Sequence, residues 1–257
     1  MNEELLKKII EKKEFSQLPK KDVELVFEKF ENKELNDYQK LKLTRDLLRK
    51  IYSSFSSRKL LREVKGRDVE WFLNKHKSTK ERLPFYGDIY KKIFLGVTEK
   101  EISVIDLGAG INGLSYNFFP KNLKIKYIGI EAVGQLVDLM NKFFLNEKIN
   151  GKAIHESLFE LEKIKKIIEK QKRPRIVFLF KVIDSLELIE RNYSKKLLKE
   201  IVPLADRVVV SFATRSLGRR SEFSARRNWL INFVEENFNL VDDFEINGER
   251  YLVIEEK

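Results

Sequence analysis

The sequence predicts an α/β fold with a seven-stranded, mostly parallel sheet that follows a separate helical domain. Three observations support this prediction. Short apolar runs alternate with helical patterns from about residue 100 onwards. Two late β-like runs, 238–246 and 250–255, are joined by Asn247-Gly248, which is a strong signal for a hairpin turn. Residues 1–75 instead carry apolar residues at helical spacing.

The domain formed by residues 1–75 is predicted to contain several amphipathic helices. The first contains Leu5 and Ile9 on one face. Asp22 is predicted to cap the next helix, because it precedes an apolar stripe that begins at Val23. A third helix is predicted to begin near Asn36. Its polar face is basic and contains Lys40, Lys42, Arg45, Arg49 and Lys50.

The domain formed by residues 76–257 is predicted to contain five parallel strands before the closing hairpin. The apolar runs place these strands near 102–107, 126–131, 151–155, 175–181 and 206–212. The connecting segments predict helices near 113–119, 133–146, 157–171, 185–200 and 221–237. Alternation of this kind is typical of a parallel sheet with helices on both faces.

Composition excludes several classes of function. The 257-residue chain has no cysteine, so it contains no disulfide, no zinc site with cysteine ligands and no thiol nucleophile. Its histidines are His76 and His155, too few for a histidine-rich metal site, and we expect no bound metal. We see no apolar run of 18 residues and no secretory leader, which predicts a cytoplasmic protein that does not enter a membrane.

The net charge of +11 favours a polyanionic partner, in particular a nucleic acid. A lysine-rich surface that only keeps the protein soluble is the alternative. The basic face of residues 1–75 favours the first reading, and we interpret this domain as a helical module that docks on RNA. The predicted RNA contacts within it are Arg45, Arg49, Arg58 and Lys59.

A glycine turn follows the first predicted strand. Asp106-Leu107-Gly108-Ala109-Gly110 ends that strand, and the next apolar run ends in Glu131. Glycines let the backbone approach a ligand, and an acid at the end of the second strand can accept hydrogen bonds from a ribose. The turn does not match the dinucleotide pattern, and Asp106 suits a cofactor that carries an amino group. We therefore predict S-adenosyl-L-methionine rather than NAD, with an ordinary strand and tight turn as the alternative.

The carboxyl ends of parallel strands form one edge of a sheet, where ligands bind. The predicted cofactor-binding residues at this edge are Asp106, Gly108, Ala109, Gly110, Glu131, Ala132, Glu156, Ser157, Leu158 and Phe180. Lys181 follows the fourth strand at the same edge. The loop after the fifth strand is rich in arginine, which can hold phosphates in a bidentate manner. Its predicted RNA contacts are Arg215, Ser216, Arg219 and Arg220, and a solvated charged loop is the alternative.

Four motifs, in order, resemble those of the aminoglycoside-resistance 16S rRNA methyltransferases, which methylate N7 of a guanine in the decoding site. Residues 76–84, His-Lys-Ser-Thr-Lys-Glu-Arg-Leu-Pro, resemble the linker signature of that family. Residues 106–114 resemble its first cofactor motif, and Leu-Phe-Lys at 179–181 resembles its fourth-strand motif. Residues 210–221 resemble its late Ser-Phe-Pro-Thr-Arg-Ser-Leu-Gly loop.

The resemblance implies a class I S-adenosylmethionine-dependent methyltransferase fold, which is Rossmann-like. It places Arg82 and Gly108 at the methionine end of the cofactor, and His76 joins the cofactor-binding set. Glu131 would hold the ribose, and residues 156–158 would flank the adenine. Lys181 and the late arginine loop would face the target nucleotide. The implied partner is 16S rRNA in the small ribosomal subunit, and we expect a monomer.

Methylation of guanine N7 needs no general base, because N7 carries a free lone pair. Methylation of cytosine C5 usually needs a cysteine, which this chain lacks. Lys181 and Asp184 leave methylation of the ribose 2′-hydroxyl open as an alternative. Two further alternatives are an rRNA-binding or assembly factor without catalysis, and a methyltransferase that acts on a protein or a small molecule.

Overall fold

The computed structural model describes residues 3–53, Leu60, 66–214 and 227–257, and in these residues a seven-stranded sheet carries helices on both faces. Its strands are β1 (Glu101–Leu107), β2 (Lys124–Glu131), β3 (Gly151–His155), β4 (Arg175–Phe180), β5 (Arg207–Ala213), β6 (Asn239–Ile246) and β7 (Glu249–Glu255). Their order is β3-β2-β1-β4-β5-β7-β6. The first five strands run parallel, and β7 pairs antiparallel with both β5 and β6. The predicted sheet is confirmed.

The helices of the first part of the chain are α1 (Glu3–Ile10), α2 (Lys20–Glu31), α3 (Asp37–Leu48), α4 (Val69–Leu73), α5 (Lys77–Arg82) and α6 (Tyr86–Ile93). Those between and after the strands are α7 (Gly134–Asn146), α8 (Leu161–Glu169), α9 (Ile183–Ile189), α10 (Tyr193–Ile201) and α11 (Asn228–Asn237). The helix predicted near 185–200 is two helices, because Asn192 adopts a left-handed conformation with φ of 66°. The segment near 113–119 forms a 3₁₀ helix, Asn112–Phe118, instead of an α-helix.

The central strands are buried on both faces, which explains their continuous apolar runs. Val104 of β1 and Phe178 of β4 pack in a core with α6, α7 and the N-terminal helices. The adjacent residues Ile105 and Val177 point to the opposite face, where α8 to α11 pack. This alternation follows from the two-residue period of a strand. Two cores therefore hold the sheet edge in a fixed position.

The closing hairpin turns at Asn247 and Gly248, as predicted. Both residues have positive φ, 50° and 74° respectively, which a two-residue turn of type I′ requires. The turn brings Glu249 to the start of β7, opposite Ala213 at the end of β5. The hairpin therefore delivers an acidic side chain to the edge of the sheet where the parallel strands end.

The N-terminal helices pack directly on the α/β domain. The third helix begins near Asn36 as predicted, and the Asn36 side chain caps it by accepting a hydrogen bond from the amide of Gln39. The prediction that Asp22 caps α2 is wrong, because α2 begins at Lys20 and Asp22 lies buried within its first turn. The amide of Gly134, at the start of α7, donates to the carbonyl of Gln17 at 3.3 Å. A Cβ atom at Gly134 would lie 2.5 Å from the Gln17 side chain, so glycine permits this close contact.

Candidate active site

The glycine turn after β1 has the geometry that the sequence predicts. Gly108 and Gly110 have φ of 72° and 55°, a region that residues with a Cβ atom rarely adopt. The amides of Gly108 and Ala109 donate to the carbonyl of Ile130 at 2.9 and 3.0 Å, which fixes the turn against β2. A Cβ atom on Gly108 would lie 2.6 Å from the Val182 side chain. The turn thus presents bare backbone at the edge of the sheet.

Asp106 lies at the end of β1 with 1% of its surface exposed. Its Oδ2 accepts hydrogen bonds from the Tyr127 hydroxyl at 2.6 Å and from Asn112 Nδ2 at 2.8 Å. Its Oδ1 is buried and has no hydrogen-bond partner among the described residues. Burial raises the pKa of Asp106, although the bonds from Tyr127 and Asn112 act in the opposite direction. An unpaired buried oxygen of this kind can accept a hydrogen bond from a ligand.

Glu131 ends β2 and is also buried. Its carboxylate accepts hydrogen bonds from the amide of Gly110 at 2.7 Å and from the amide of Val133 at 2.9 Å. Burial raises the pKa of Glu131, while these two amides act to lower it. The contact with Gly110 ties the acid of β2 to the glycine turn of β1. The two predicted halves of the cofactor site therefore lie in direct contact.

A buried cluster of charges lies at the other end of the site. Arg82 donates to both carboxylate oxygens of Glu249, with Nε to Oε1 at 3.0 Å and Nε to Oε2 at 3.1 Å. Lys181 Nζ lies 3.0 Å from the same carboxylate and 2.6 Å from that of Glu81. The Ser211 hydroxyl donates to Glu249 at 2.5 Å. Burial alone would raise the pKa of Glu249, but the charges of Arg82 and Lys181 outweigh it and hold that pKa below its usual value.

His76 packs between this cationic cluster and the glycine turn. A Cβ atom on Gly110 would lie 3.0 Å from its ring, and its Nδ1 is buried with no partner among the described residues. Burial lowers the pKa of His76 to about 3, and the charges of Arg82 and Lys181 add to this effect. The ring is therefore neutral at physiological pH.

These residues surround one cleft at the carboxyl ends of β1, β2 and β4. The predicted cofactor-binding residues that line it are His76, Arg82, Asp106, Gly108, Ala109, Gly110, Glu131, Ala132, Leu158 and Phe180. Lys181 lines it as well. Glu156 and Ser157 do not line the cleft. Glu156 pairs with Lys163 at 3.3 Å, and Ser157 is fully buried, where its hydroxyl accepts a hydrogen bond from the amide of Phe159 at 3.1 Å.

Three residues of the N-terminal domain also line the cleft, and sequence reasoning did not assign them to it. They are Asp22, Ile51 and Tyr52. The Tyr52 hydroxyl donates a hydrogen bond to Asp22 Oδ1. One signal was present in the sequence, because Asp22 is four residues before Val26 and so falls on the apolar stripe of α2. An acid on a buried face indicates a specific partner or a site.

Two of the predicted RNA contacts in the N-terminal domain make contacts within the protein. Arg45 donates to the carbonyl of Lys8 and lies 3.9 Å from Glu11. Arg49 is exposed and pairs with Glu14 at 2.8 Å and Asp46 at 3.0 Å. Six further predicted contacts lie outside the described residues: Arg58, Lys59, Arg215, Ser216, Arg219 and Arg220.

The described part of the chain holds no group of three or more histidine, aspartate or glutamate side chains placed to bind a metal ion. None of its helices is long and apolar enough to cross a membrane.

The two ends of the cleft differ in charge. Burial raises the pKa of both Asp22 and Glu131, and repulsion by Asp22 adds to the effect at Glu131, so these two carboxyls define an acidic end. The other end, called here the cationic end, carries Arg82 and Lys181 together with their counter-charges Glu249 and Glu81. Asp106 also lines the cleft, near the glycine turn. An elongated ligand with hydrogen-bond donors at one end and a carboxylate at the other fits this arrangement. The residues present therefore fit S-adenosylmethionine, whose base, ribose, amino group and carboxylate follow in that order.

Comparison with known proteins identifies the family. A sequence model described as ribosomal RNA methyltransferase (FmrO) matches residues 62–251. The chain belongs to the FmrO family of ribosomal RNA methyltransferases. The matched range begins before the linker motif and ends inside the closing hairpin. It includes every residue that lines the cleft except Asp22, Ile51 and Tyr52.

Individual relatives of this FmrO-family chain are distant in sequence. A curated relative from Proteus mirabilis, a 16S rRNA (guanine(1405)-N(7))-methyltransferase, is 25% identical over 71% of this chain, and the match spans 63% of that relative's length. The crystal structure of the 16S rRNA methyltransferase RmtF with S-adenosyl-L-homocysteine is 21% identical, with a TM-score of 0.79 and full coverage of both chains. The 16S rRNA methylase RmtB is 20% identical and has the same TM-score, with 99% and 98% coverage. These structures confirm the predicted class I methyltransferase fold with a helical N-terminal region.

Proposed function

We propose that this chain transfers a methyl group from S-adenosyl-L-methionine to N7 of a guanine in the decoding site of 16S rRNA. The observation that carries the proposal is the cleft itself, in which the glycine turn, Asp106 and Glu131 meet a buried cationic cluster, in a chain of the FmrO family. The name of the Proteus mirabilis relative specifies guanine 1405, and we propose the corresponding guanine as the target.

Each part of the cleft has a proposed role in holding the cofactor. Glu131 would accept hydrogen bonds from the ribose hydroxyls, and the backbone at Gly108 would allow close approach of the methionine portion. Asp106 Oδ1, which has no partner among the described residues, would accept from the amino group. Arg82 would hold the carboxylate, as its guanidinium can do alongside Glu249. When bound, the cofactor supplies an electrophilic methyl group on a sulfonium centre.

The titratable groups of the cleft favour N7 over the ribose 2′-hydroxyl as the target atom. A 2′-hydroxyl reacts more readily when a base removes its proton, whereas N7 has no proton to lose. His76 is neutral but its ring is packed on Gly110, and Lys181 donates to both Glu81 and Glu249. The remaining contribution of the protein is alignment and exclusion of water, which a displacement reaction at a methyl group requires.

The proposed partner is the small ribosomal subunit. The net charge of +11 would draw the chain to rRNA, and residues 1–75 would dock on the A-form helix through phosphates. Lys181 and the late arginine loop would face the flipped-out target base. Arg45 and Arg49 would contribute to the basic surface while keeping their contacts within the domain. We propose that the protein acts as a monomer in the cytoplasm, where the ribosomal subunits are.

Labelled cofactor tests the proposal directly. The full chain is incubated with labelled S-adenosylmethionine and intact 30S subunits, free rRNA or bulk protein. Label on 16S rRNA should map to one guanine by primer extension after reductive cleavage at 7-methylguanine. Glu131→Gln should abolish the label, whereas Glu162→Gln, an exposed position on α8, should leave it unchanged. Label found only on protein, or on a ribose, would refute the proposed reaction.

The second candidate function is an rRNA-binding or assembly factor without catalysis, which the net charge also supports. It predicts salt-sensitive binding to 30S subunits with no measurable uptake of the cofactor. Calorimetry with S-adenosylmethionine therefore separates the two functions before any RNA is added.

A further inference from the structure

Asp22 is a buried acid that belongs to the N-terminal domain but lines the cofactor cleft. It has 1% of its surface exposed, on the first turn of α2. The Tyr52 hydroxyl donates to its Oδ1. Its Oδ2 is buried and has no hydrogen-bond partner among the described residues. Burial raises the pKa of Asp22, and hydrogen bonding by the Ser157 and Tyr52 hydroxyls acts to lower it. Of these two hydroxyls, only that of Tyr52 meets the geometry of a direct hydrogen bond to Asp22, so Oδ2 keeps the capacity to accept one from a ligand.

The position of Asp22 within the cleft indicates what it can bind. It lies near Glu131 and Glu156, since both carboxylates interact electrostatically with it. It therefore belongs to the acidic end of the cleft, away from Arg82 and Lys181. With Glu131 assigned to the ribose, the next group along the ligand is the purine base. The base carries one exocyclic amine, which is a hydrogen-bond donor that a buried unpaired carboxylate oxygen can accept.

We propose that Asp22 accepts a hydrogen bond from the exocyclic amine of the adenine, so that the N-terminal domain supplies a specificity-determining residue of the cofactor site. This inference rests on the proposed function, because it assumes that an adenosyl ligand occupies the cleft. The consequence is that residues 1–75 do more than dock on RNA. They complete the wall that selects adenine over purines without the amine.

The direct test compares two ligands by calorimetry on the full chain. One is S-adenosylhomocysteine, and the other is its analogue in which hydrogen replaces the exocyclic amine. A hydrogen bond to a buried carboxylate contributes enough that the wild-type protein should bind the amine-bearing ligand about tenfold more tightly, or better. Equal affinities would overturn the inference while leaving the proposed function standing. Failure of the wild-type protein to bind either ligand would overturn both.

The Asp22→Asn variant assigns the preference to this side chain. Because the Tyr52 hydroxyl donates to one atom of the side chain, the amide oxygen takes that place and the amide NH₂ replaces Oδ2. Two donors would then face each other, so the preference for the amine-bearing ligand should fall to less than about twofold. Asp22→Leu, which has no acceptor, should lose the preference as well. Asp46→Asn is the matched control, an exposed acid of the same domain, and should keep the wild-type preference.

A variant at position 22 that weakens both ligands equally, or that keeps the tenfold preference, would overturn the inference. Urea unfolding of each variant confirms that it folds. Asp22→Asn keeps an acceptor for the Tyr52 hydroxyl and should not destabilise the protein. Asp22→Leu leaves that hydroxyl without its partner and should lower the stability, so binding is compared only in variants that urea unfolding shows to be folded.

Discussion

His76 should make the stability of this protein depend on pH in a way that one substitution removes. Burial, together with the charges of Arg82 and Lys181, lowers the pKa of His76 to about 3 in the folded chain. In the unfolded chain a histidine has a pKa of about 6.5. As the pH falls, the His76 ring therefore binds a proton in the unfolded chain before it does so in the folded chain. The contribution of neutral His76 to the free energy of unfolding is complete above about pH 6.5 and is lost progressively towards pH 3.

The magnitude follows from the difference between the two pKa values. Each pH unit in this window costs about 1.4 kcal/mol of unfolding free energy for one proton. Between pH 7.5 and pH 5.0 the loss due to His76 is therefore about 2 kcal/mol. The structure gives the reason, since a protonated ring would place a third cation beside Arg82 and Lys181 with no partner for Nδ1 among the described residues.

Urea unfolding at pH 7.5 and pH 5.0 measures the effect. His76→Gln should lose about 2 kcal/mol less than the wild-type protein between the two pH values, because glutamine does not titrate. His155→Gln is the matched control, since the only other histidine of the chain is exposed and its ring contacts the carbonyl of Ala132 at 2.9 Å. Acidic groups titrate equally in all three proteins and cancel. Equal pH dependence in wild type and His76→Gln would refute the reasoning.

Three further predictions concern the walls of the cleft. Glu249→Gln should lower the unfolding free energy by about 3 kcal/mol, because it leaves buried Arg82 without a counter-charge. Asp243→Asn in the neighbouring, partly exposed pair should cost less than about 1 kcal/mol, and equal losses in urea unfolding would contradict this account. Asp106→Asn should keep or increase stability at pH 7.5, since burial raises the pKa of that carboxyl, yet weaken S-adenosylmethionine binding about tenfold in calorimetry. Unchanged binding would remove Asp106 from the cofactor site. Gly108→Ala should lower the melting temperature and abolish cofactor binding, because a Cβ atom would strain the backbone and meet Val182 at 2.6 Å. Wild-type melting and binding would show that the turn accommodates a side chain.

The parts of the fold that the sequence predicts are those that local pattern determines. A continuous apolar run that ends at Gly108 specifies both the strand and the position of its turn, because the glycine conformation is a local property. Glu131 is found in the same way, as a polar residue at the end of a buried run. Asn247 and Gly248 define the hairpin without reference to any other segment. These features need no knowledge of tertiary contacts.

The residues that the sequence does not reveal depend on contacts between distant segments. In the sequence, Glu249 resembles an ordinary exposed acid after a turn. Only the pairing of β7 with β5 brings it to Arg82, which is 167 residues away in the sequence. Asp22 reads as a helix cap, and only the packing of α2 on the sheet edge turns it into a wall of the cleft. Ser157 reads as a cofactor contact, but the chain turns so that Leu158 faces the cleft and Ser157 does not.

The ion pair between Arg82 and Glu249 explains why the cationic end of the cleft exists before a ligand binds. A free arginine at this position would be flexible and hydrated, and a ligand carboxylate would have to order it at an entropic cost. Here both carboxylate oxygens of Glu249 hold the guanidinium, which also lies 4.8 Å from the Phe180 ring centroid. The same carboxylate contacts Lys181, so one residue of the closing hairpin positions both cations. Because Glu81 and Arg82 of α5, Lys181 directly after β4 and Glu249 of β7 form this cluster, the fold itself orders the cationic end of the cleft.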